Sequence, residues 1–295
     1  MKKALLLFIY FFAISQLSTS AENVDYTKMI QPGKWLRNVV VKTEYAGEIS
    51  GAVVQIYFPR DYVKGKKYRT IIALHPSDKN ERDWESSGVE SFADRYKMVI
   101  VCPAMKRSVY ENSFYPETSY KWNVIPGGKF IGETLIKFLN SNFSLASKRE
   151  STGIMGAEAG AHGALIVACY YPNRFKSAAG ISGFYDPTAM PNNKMIEAVY
   201  GSYKMFQDRW ENEASPLTLA EKLKGVHVFL YHGLKYDSYQ PEQSRVMAIR
   251  IKQLQKKFSD YSITYKENKG GSKGWIHWSY QVSDIMNFMN DNLAE

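Results

Sequence analysis

The residues of clearest chemical potential are Gly156-Ala157-Glu158-Ala159-Gly160, followed by Ala161-His162-Gly163-Ala164-Leu165. An apolar strand over 151–155 leads into them and an apolar helix leads out. That is the strand–turn–helix corner that presents a reactive side chain above a parallel sheet, where the usual pattern is Gly-x-Ser-x-Gly. Both glycines are kept, as a tight turn with close backbone packing requires, but Glu158 stands at the tip. A serine alkoxide adds to a carbonyl and leaves a stable acyl ester. A carboxylate adding there must form an anhydride, and since carboxylate is the better leaving group the adduct collapses backwards. Glu158 suits displacement of an alkyl group, general-base catalysis on water, or a site kept for binding alone.

A corner of this kind needs an acid and a base arriving later in the chain, in that order. Asp237 follows the strand ending Tyr231-His232-Gly233, where a carboxylate can orient an imidazole from the next loop. Its alternative is an ordinary turn aspartate, with Asp260 the weaker candidate acid. His277, in Gly274-Trp275-Ile276-His277-Trp278, lies after the final strand and before the last helix and is the candidate base; its alternative is a satisfied structural histidine. His162 falls one turn into the helix and reads as a packed or capping residue. His75 ends a strand at the place where oxyanion-hole backbone belongs. The donors there are the amide of Ala159 and one from Pro76-Ser77-Asp78, taken as Ser77. Trp122, in Tyr120-Lys121-Trp122-Asn123, is a candidate binding residue on a loop of about 25 residues, a length usually reserved for function or mobility. The five histidines are scattered, without His-x-x-x-His, Cys-x-x-Cys, P-loop or dinucleotide fingerprint, so no metal and no cofactor is expected.

The elements that position these residues follow from hydrophobic period. Strands are predicted over 38–45 and 52–59 as an antiparallel pair, then at 70–75, 97–102, 151–155, 175–181, 227–232 and 261–267. Helices are predicted at 78–96, 130–143, from the corner to Tyr171, at 243–258 and at 279–290. The irregular stretch 187–223, with helical patches at 195–203 and 217–223, reads as a small cap inserted over the strand ends. Alternating strands and helices after an initial pair imply one α/β domain whose mostly parallel sheet is covered on both faces.

The corner segment from Ile154 to Leu165 resembles Gly-His-Ser-Met-Gly-Gly-His-Gly-Ala-Leu of the putative-esterase branch of the α/β-hydrolases. That branch includes S-formylglutathione hydrolases, mycolyltransferases, feruloyl esterases and polyhydroxyalkanoate depolymerase-like enzymes. Tyr171-Pro172-Asn173-Arg174-Phe175-Lys176-Ser177 continues the match, Leu74-His75-Pro76 resembles its Leu-His-Gly, and 233–237 its late acid loop; the similarity spans roughly 50–290. The resemblance implies an α/β-hydrolase fold with an eight-stranded, mostly parallel sheet, and an esterase-type site. Four positions depart from the pattern. Glu158 replaces the serine, Ala161 a glycine and Pro76 the oxyanion-loop glycine, removing an amide hydrogen there. His277 adjoins Trp278, where relatives place a histidine two residues before the tryptophan. The expectation is a non-catalytic ligand- or partner-binding protein; the alternative is a hydrolase that uses Glu158 as nucleophile or general base with His277 and Asp237.

Length and composition agree with a globular protein: 295 residues, 45% hydrophobic, 23% charged. Lys2 and Lys3 precede an apolar run, 4–14, and small polar residues follow to Ser20, the pattern of a cleavable signal peptide over 1–20. The expectation is a secreted or periplasmic protein with no integral membrane segment after cleavage. Its formal charge of +9 is spread over several lysine patches without a nucleic-acid motif, so no nucleic-acid partner is expected. Twenty-one tyrosines and six tryptophans suit a cleft for a small ester, acyl or carbohydrate ligand. Cys102 and Cys169 lie in apolar surroundings and read as two buried free thiols.

Overall fold

The computed structural model describes residues 24–45, 48–77, 79–118, 125–235 and 239–295. Eight strands form one sheet: β1 (Trp35–Tyr45), β2 (Glu48–Tyr57), β3 (Arg69–Leu74), β4 (Met98–Pro103), β5 (Thr152–Ala157), β6 (Ser177–Ile181), β7 (His227–Gly233) and β8 (Ser262–Asn268). Their order across the sheet is β1-β2-β4-β3-β5-β6-β7-β8. β1 pairs antiparallel with β2, and β2 antiparallel with β4; every later pairing is parallel. This is an α/β-hydrolase fold. Parallel strands buried on both faces need near-continuous apolar sequence, which is why β3, β4 and β5 are buried along their whole length.

Side chains alternate across the sheet and feed two cores. Ile72, Leu74, Val99, Val101 and Ile154 face one, with α3 (Ile136–Phe143), α4 (Ala159–Tyr170) and α6 (Pro241–Lys257). Ile71, Ala73, Ile100, Met155 and Ala157 face the other, with α1 (Val89–Tyr96) and α7 (Trp275–Asn292). Every residue of α4 from Ala159 to Cys169 is buried, the environment that a helix apolar all round demands. Cys102 and Cys169 are buried and unbonded. They belong to cores on opposite faces of the sheet, too far apart for a bridge between them.

Two helices differ from their sequence pattern. The run expected to be one helix over 78–96 is a 3₁₀ turn at Asp83–Ser87, then α1, with Gly88 left-handed between them (φ 73°). Gly88 breaks the ladder but lets Trp84, Val89 and Ala93 share one core. The helix expected over 130–143 begins earlier, at α2 (Gly127–Lys129), and continues through a π-helical segment, Phe130–Leu135, before α3. The 187–223 stretch holds a 3₁₀ turn at Pro187–Ala189, α5 (Lys194–Tyr200), a π-turn at Arg209–Glu213 and a 3₁₀ helix at Thr218–Leu223. Ile196, Tyr200 and Trp210 give it a small core shared with Val109, Tyr115 and Phe184. Among the described residues no helix is long and apolar enough to cross a membrane. The expected signal peptide lies outside the described residues.

Candidate active site

β5 ends at Ala157 and α4 begins at Ala159, so the chain turns at Glu158, with φ 55° and ψ −116°. A non-glycine residue in that region costs roughly 1–3 kcal/mol and persists only where its surroundings impose it. Here they do. The Glu158 amide donates to the Ile181 carbonyl at 2.8 Å, and its carbonyl accepts from the amides of Ala161 at 3.0 Å and His162 at 3.3 Å. Two glycines let strand and helix meet. A Cβ on Gly156 would lie 2.0 Å from the Gly160 carbonyl oxygen, and one on Gly160 2.3 Å from that of Leu74.

The Glu158 side chain turns toward the end of β3. Its Oε2 accepts from the Ser77 amide at 2.7 Å, and the Ser77 hydroxyl lies 2.8 Å from both carboxylate oxygens. The Tyr239 hydroxyl donates to the same carboxylate; burial, then the Glu158 charge and that hydrogen bond, push the phenol well above its ordinary range, so it stays a donor. Tyr239 is held from behind. His232 donates Nε2–H to the Tyr239 carbonyl at 2.9 Å, and its Nδ1 lies 2.8 Å from Ser244 Oγ. The Tyr239 ring lies 4.8 Å from Phe184, itself stacked at 4.1 Å on His162.

The histidines sort by what their ring nitrogens do. His75 donates Nδ1–H to the Pro76 carbonyl at 2.6 Å and accepts the Met105 amide at Nε2, 2.9 Å, leaving no free lone pair. His162 is buried beside the Phe184 carbonyl, and desolvation pushes its pKa down to about 3, so it is neutral. His232 is committed as above. His227 begins β7, at the opposite end of the strands from Glu158. His277 is half-buried, and its ring makes no hydrogen bond to a described residue. It sits in the first turn of α7, its amide bonded to the Gly274 carbonyl at 2.9 Å, not in the loop before the helix. The helix starts early because Trp275 packs 4.7 Å from Trp84 and 5.7 Å from Trp278, with its indole N–H on the Asp83 carboxylate at 2.7 Å.

Of the residues picked out by sequence, the fold therefore gathers Glu158, Ser77 and Ala159 at the ends of β3 and β5. The Ala159 amide heads α4 with no described acceptor. Asp237, Trp122 and Asp78 lie outside the described residues.

The Putative esterase family model matches residues 51–289 of this chain. The chain belongs to that family. An acetyl esterase of Caldicellulosiruptor saccharolyticus is 24% identical over 247 residues, 79% of this chain and 87% of that one. Among solved structures, an S-formylglutathione hydrolase from Agrobacterium tumefaciens superposes with TM-score 0.68 at 16% identity, covering 87% of this chain and 94% of its own. The Staphylococcus aureus fluorophosphonate-binding serine hydrolase FphF does so at 0.67 and 17%, covering 88% and 99%. At such identities the structural likenesses speak for the fold.

Three site residues of this esterase-family chain escaped sequence reasoning: Tyr239, Tyr110 and Glu111. Tyr239 lies on the loop leaving β7 at the carboxyl edge of the strands, where sites of parallel sheets gather, and that position was its only signal. Tyr110 donates to the His75 carbonyl at 2.7 Å, and its ring fills the space where a Cβ on Gly163 would sit, 2.4 Å away. Glu111, next in the chain, is buried and accepts from Ser108 Oγ at 3.2 Å and from backbone amides that include Gly127. Burial outweighs those bonds and pushes its carboxyl up to about 7. A folded-state pKa above the unfolded value gives stability that is full below the unfolded pKa and is lost as pH rises through the folded one. Urea unfolding should therefore show stability falling by about 3 kcal/mol between about pH 4.5 and 7. Glu111→Gln should flatten that window; an unchanged profile in the variant would remove Glu111 as its cause.

Proposed function

We propose that this esterase-family protein is an exported ligand- or partner-binding protein that does not perform serine-type acyl transfer, with Glu158 standing where the family carries its nucleophile. The observation that carries the reading is the Glu158–Ser77 contact. The amide expected to bind a developing oxyanion is already engaged by a carboxylate of the chain itself, and the tip residue yields only an anhydride when it attacks a carbonyl. Pro76 supplies no amide hydrogen beside it. Asp237 and His277 are then remnants of an acid–base pair, and the cleft holds an ester, acyl or carbohydrate-type ligand. Export rests on the N-terminal pattern of Lys2, Lys3 and the apolar run to Ile14.

One contact favours a second reading, a hydrolase. The Ser77 hydroxyl sits 2.8 Å from a carboxylate, so Glu158 is placed as a general base. Ser77 Oγ would attack the carbonyl as its proton passes to Glu158, which returns it to the departing alkoxide, leaving an acyl-Ser77 for water to cleave. A fluorophosphonate probe with mass-mapped digestion separates the two. No labelled serine is expected; stoichiometric label on Ser77, lost in Glu158→Gln, would establish the hydrolase and end the binding-only reading.

A further inference from the structure

The strands that carry the candidate site at their carboxyl ends all begin at the opposite pole. Arg69 is level with Met98, Thr70 with Thr152, Gly153 with Ser177, and Ser177 with His227. Lysines and arginines at or near these strand starts gather around two cavities. At the start of β3 and β4 lies a cavity of 260 Å³ walled by Lys66, Lys67, Arg69, Arg95 and Lys97, with Glu295 the carboxylate among its lining. At the start of β6, β7 and β8 lies a second, of 560 Å³, walled by Arg149, Lys176, Lys224 and His227.

The first cavity is only partly compensated, with five cations against the Glu295 carboxylate in its lining. Lys97 pairs with Asp61 at 3.3 Å, but Lys66, Lys67 and Arg95 have no carboxylate within salt-bridge reach among the described residues. Arg69 is only 7% exposed. Its guanidinium donates to the carbonyl of Tyr96 and to the carbonyl and side-chain oxygen of Asn290, all neutral acceptors. Burying a charge is costly; Glu295 offsets part of that cost for Arg69, where burial is still the larger effect, and the exposed cations beside it repel one another, so an anion entering the cavity relieves both. In the second cavity Lys224 meets Asp260 at 3.5 Å, and Lys176 has no ion pair among the described residues. β3 and β7 are three strands apart, which at about 4.8 Å per strand sets the cavities on the order of 14 Å from each other.

We infer that the pole opposite Glu158 is a polyanion-binding face, with each cavity taking a phosphate or sulfate ester group of one extended chain. Recessed cavities lined by forked and pointed donors suit discrete oxyanions. This inference is independent of whether the corner at Glu158 is catalytic.

The test uses the full chain with heparin as the sulfated probe and long-chain polyphosphate as the phosphorylated one. Affinity for at least one should fall steeply between about 0.05 and 0.5 M salt, as exposed charges are screened. The triple variant Lys66→Glu/Lys67→Glu/Arg95→Glu should bind at least about tenfold more weakly, as two or three screened attractions turn repulsive. Lys176→Glu/Lys224→Glu should weaken it separately. The control Lys252→Glu/Lys256→Glu/Lys269→Glu, three exposed lysines that line neither cavity, changes net charge as much as the triple variant and should bind within about twofold of the unmodified chain, as at separate, independent sites. Preference for sulfate or phosphate identifies the source. Equal losses in the control, no loss in the cavity variants, or binding to phosphatidylglycerol vesicles but to neither polymer would overturn the inference.

Discussion

Replacing Glu158 with serine is expected to give aryl-ester hydrolysis about 10²–10³-fold above that of the unmodified chain, the scale of one restored acid–base or oxyanion contribution. The substitution acts at three places. It removes the carboxylate from the Ser77 amide, 2.7 Å away, freeing that donor alongside the Ala159 amide at the head of α4. It puts a hydroxyl that forms a stable acyl ester onto a corner already bent to φ 55°. It also leaves His277 as the histidine of the chain whose ring is neither locked into hydrogen bonds nor deeply buried, nor placed at the far pole. Hydrolysis of p-nitrophenyl acetate by Glu158→Ser and Glu158→Ala, with circular dichroism to establish folding, checks it. The alanine variant also clears the Ser77 amide, so a serine variant no faster than alanine would mean that His277 and the oxyanion donors are not aligned on position 158.

Gly160→Ala should be among the most destabilising single-methyl changes in the molecule, at about 4 kcal/mol or more, beyond the usual range for overpacking. The added carbon would stand 2.3 Å from the Leu74 carbonyl oxygen and 2.7 Å from that of His75. Neither is the end of a flexible side chain. Both belong to the backbone of β3 and its exit, so relief requires α4 to lift from the sheet centre. Gly65→Ala is the matching comparison: Gly65 has φ 86° but nothing within 4 Å of a built Cβ, and should lose only about 1 kcal/mol from backbone strain. Urea titrations of the two variants would separate space from conformation. Equal losses would show that the corner yields to the added methyl.

The sheet was legible because buried parallel strands announce themselves as short apolar runs. All eight expected strands overlap observed ones, with edges shifted by up to four residues. The helices on either side of it were less so. Gly88 divides what hydrophobic spacing joins, since one left-handed residue redirects a chain without disturbing which side chains are apolar. The early start of α7 depends on Trp275 finding Trp84 and Asp83, contacts about 190 residues apart in sequence, and no local period reports such a contact. At the site, Glu158 and the Ser77 loop could be read from the corner pattern. Tyr239 could not, because its role depends on His232 and Ser244 fixing the loop behind it.

The orientation of the Glu158 carboxylate has a consequence for what leaves the cleft as well as what enters. Held by an amide and two hydroxyls, it presents negative charge where an esterase presents donors. Two unit charges about 5 Å apart at an effective dielectric constant near 20 repel by about 3 kcal/mol, or roughly a hundredfold in affinity. The acid released from an ester would thus be expelled rather than retained. Under the binding reading proposed above, the site would then discriminate by the charge of its guest, retaining neutral or cationic molecules over carboxylates.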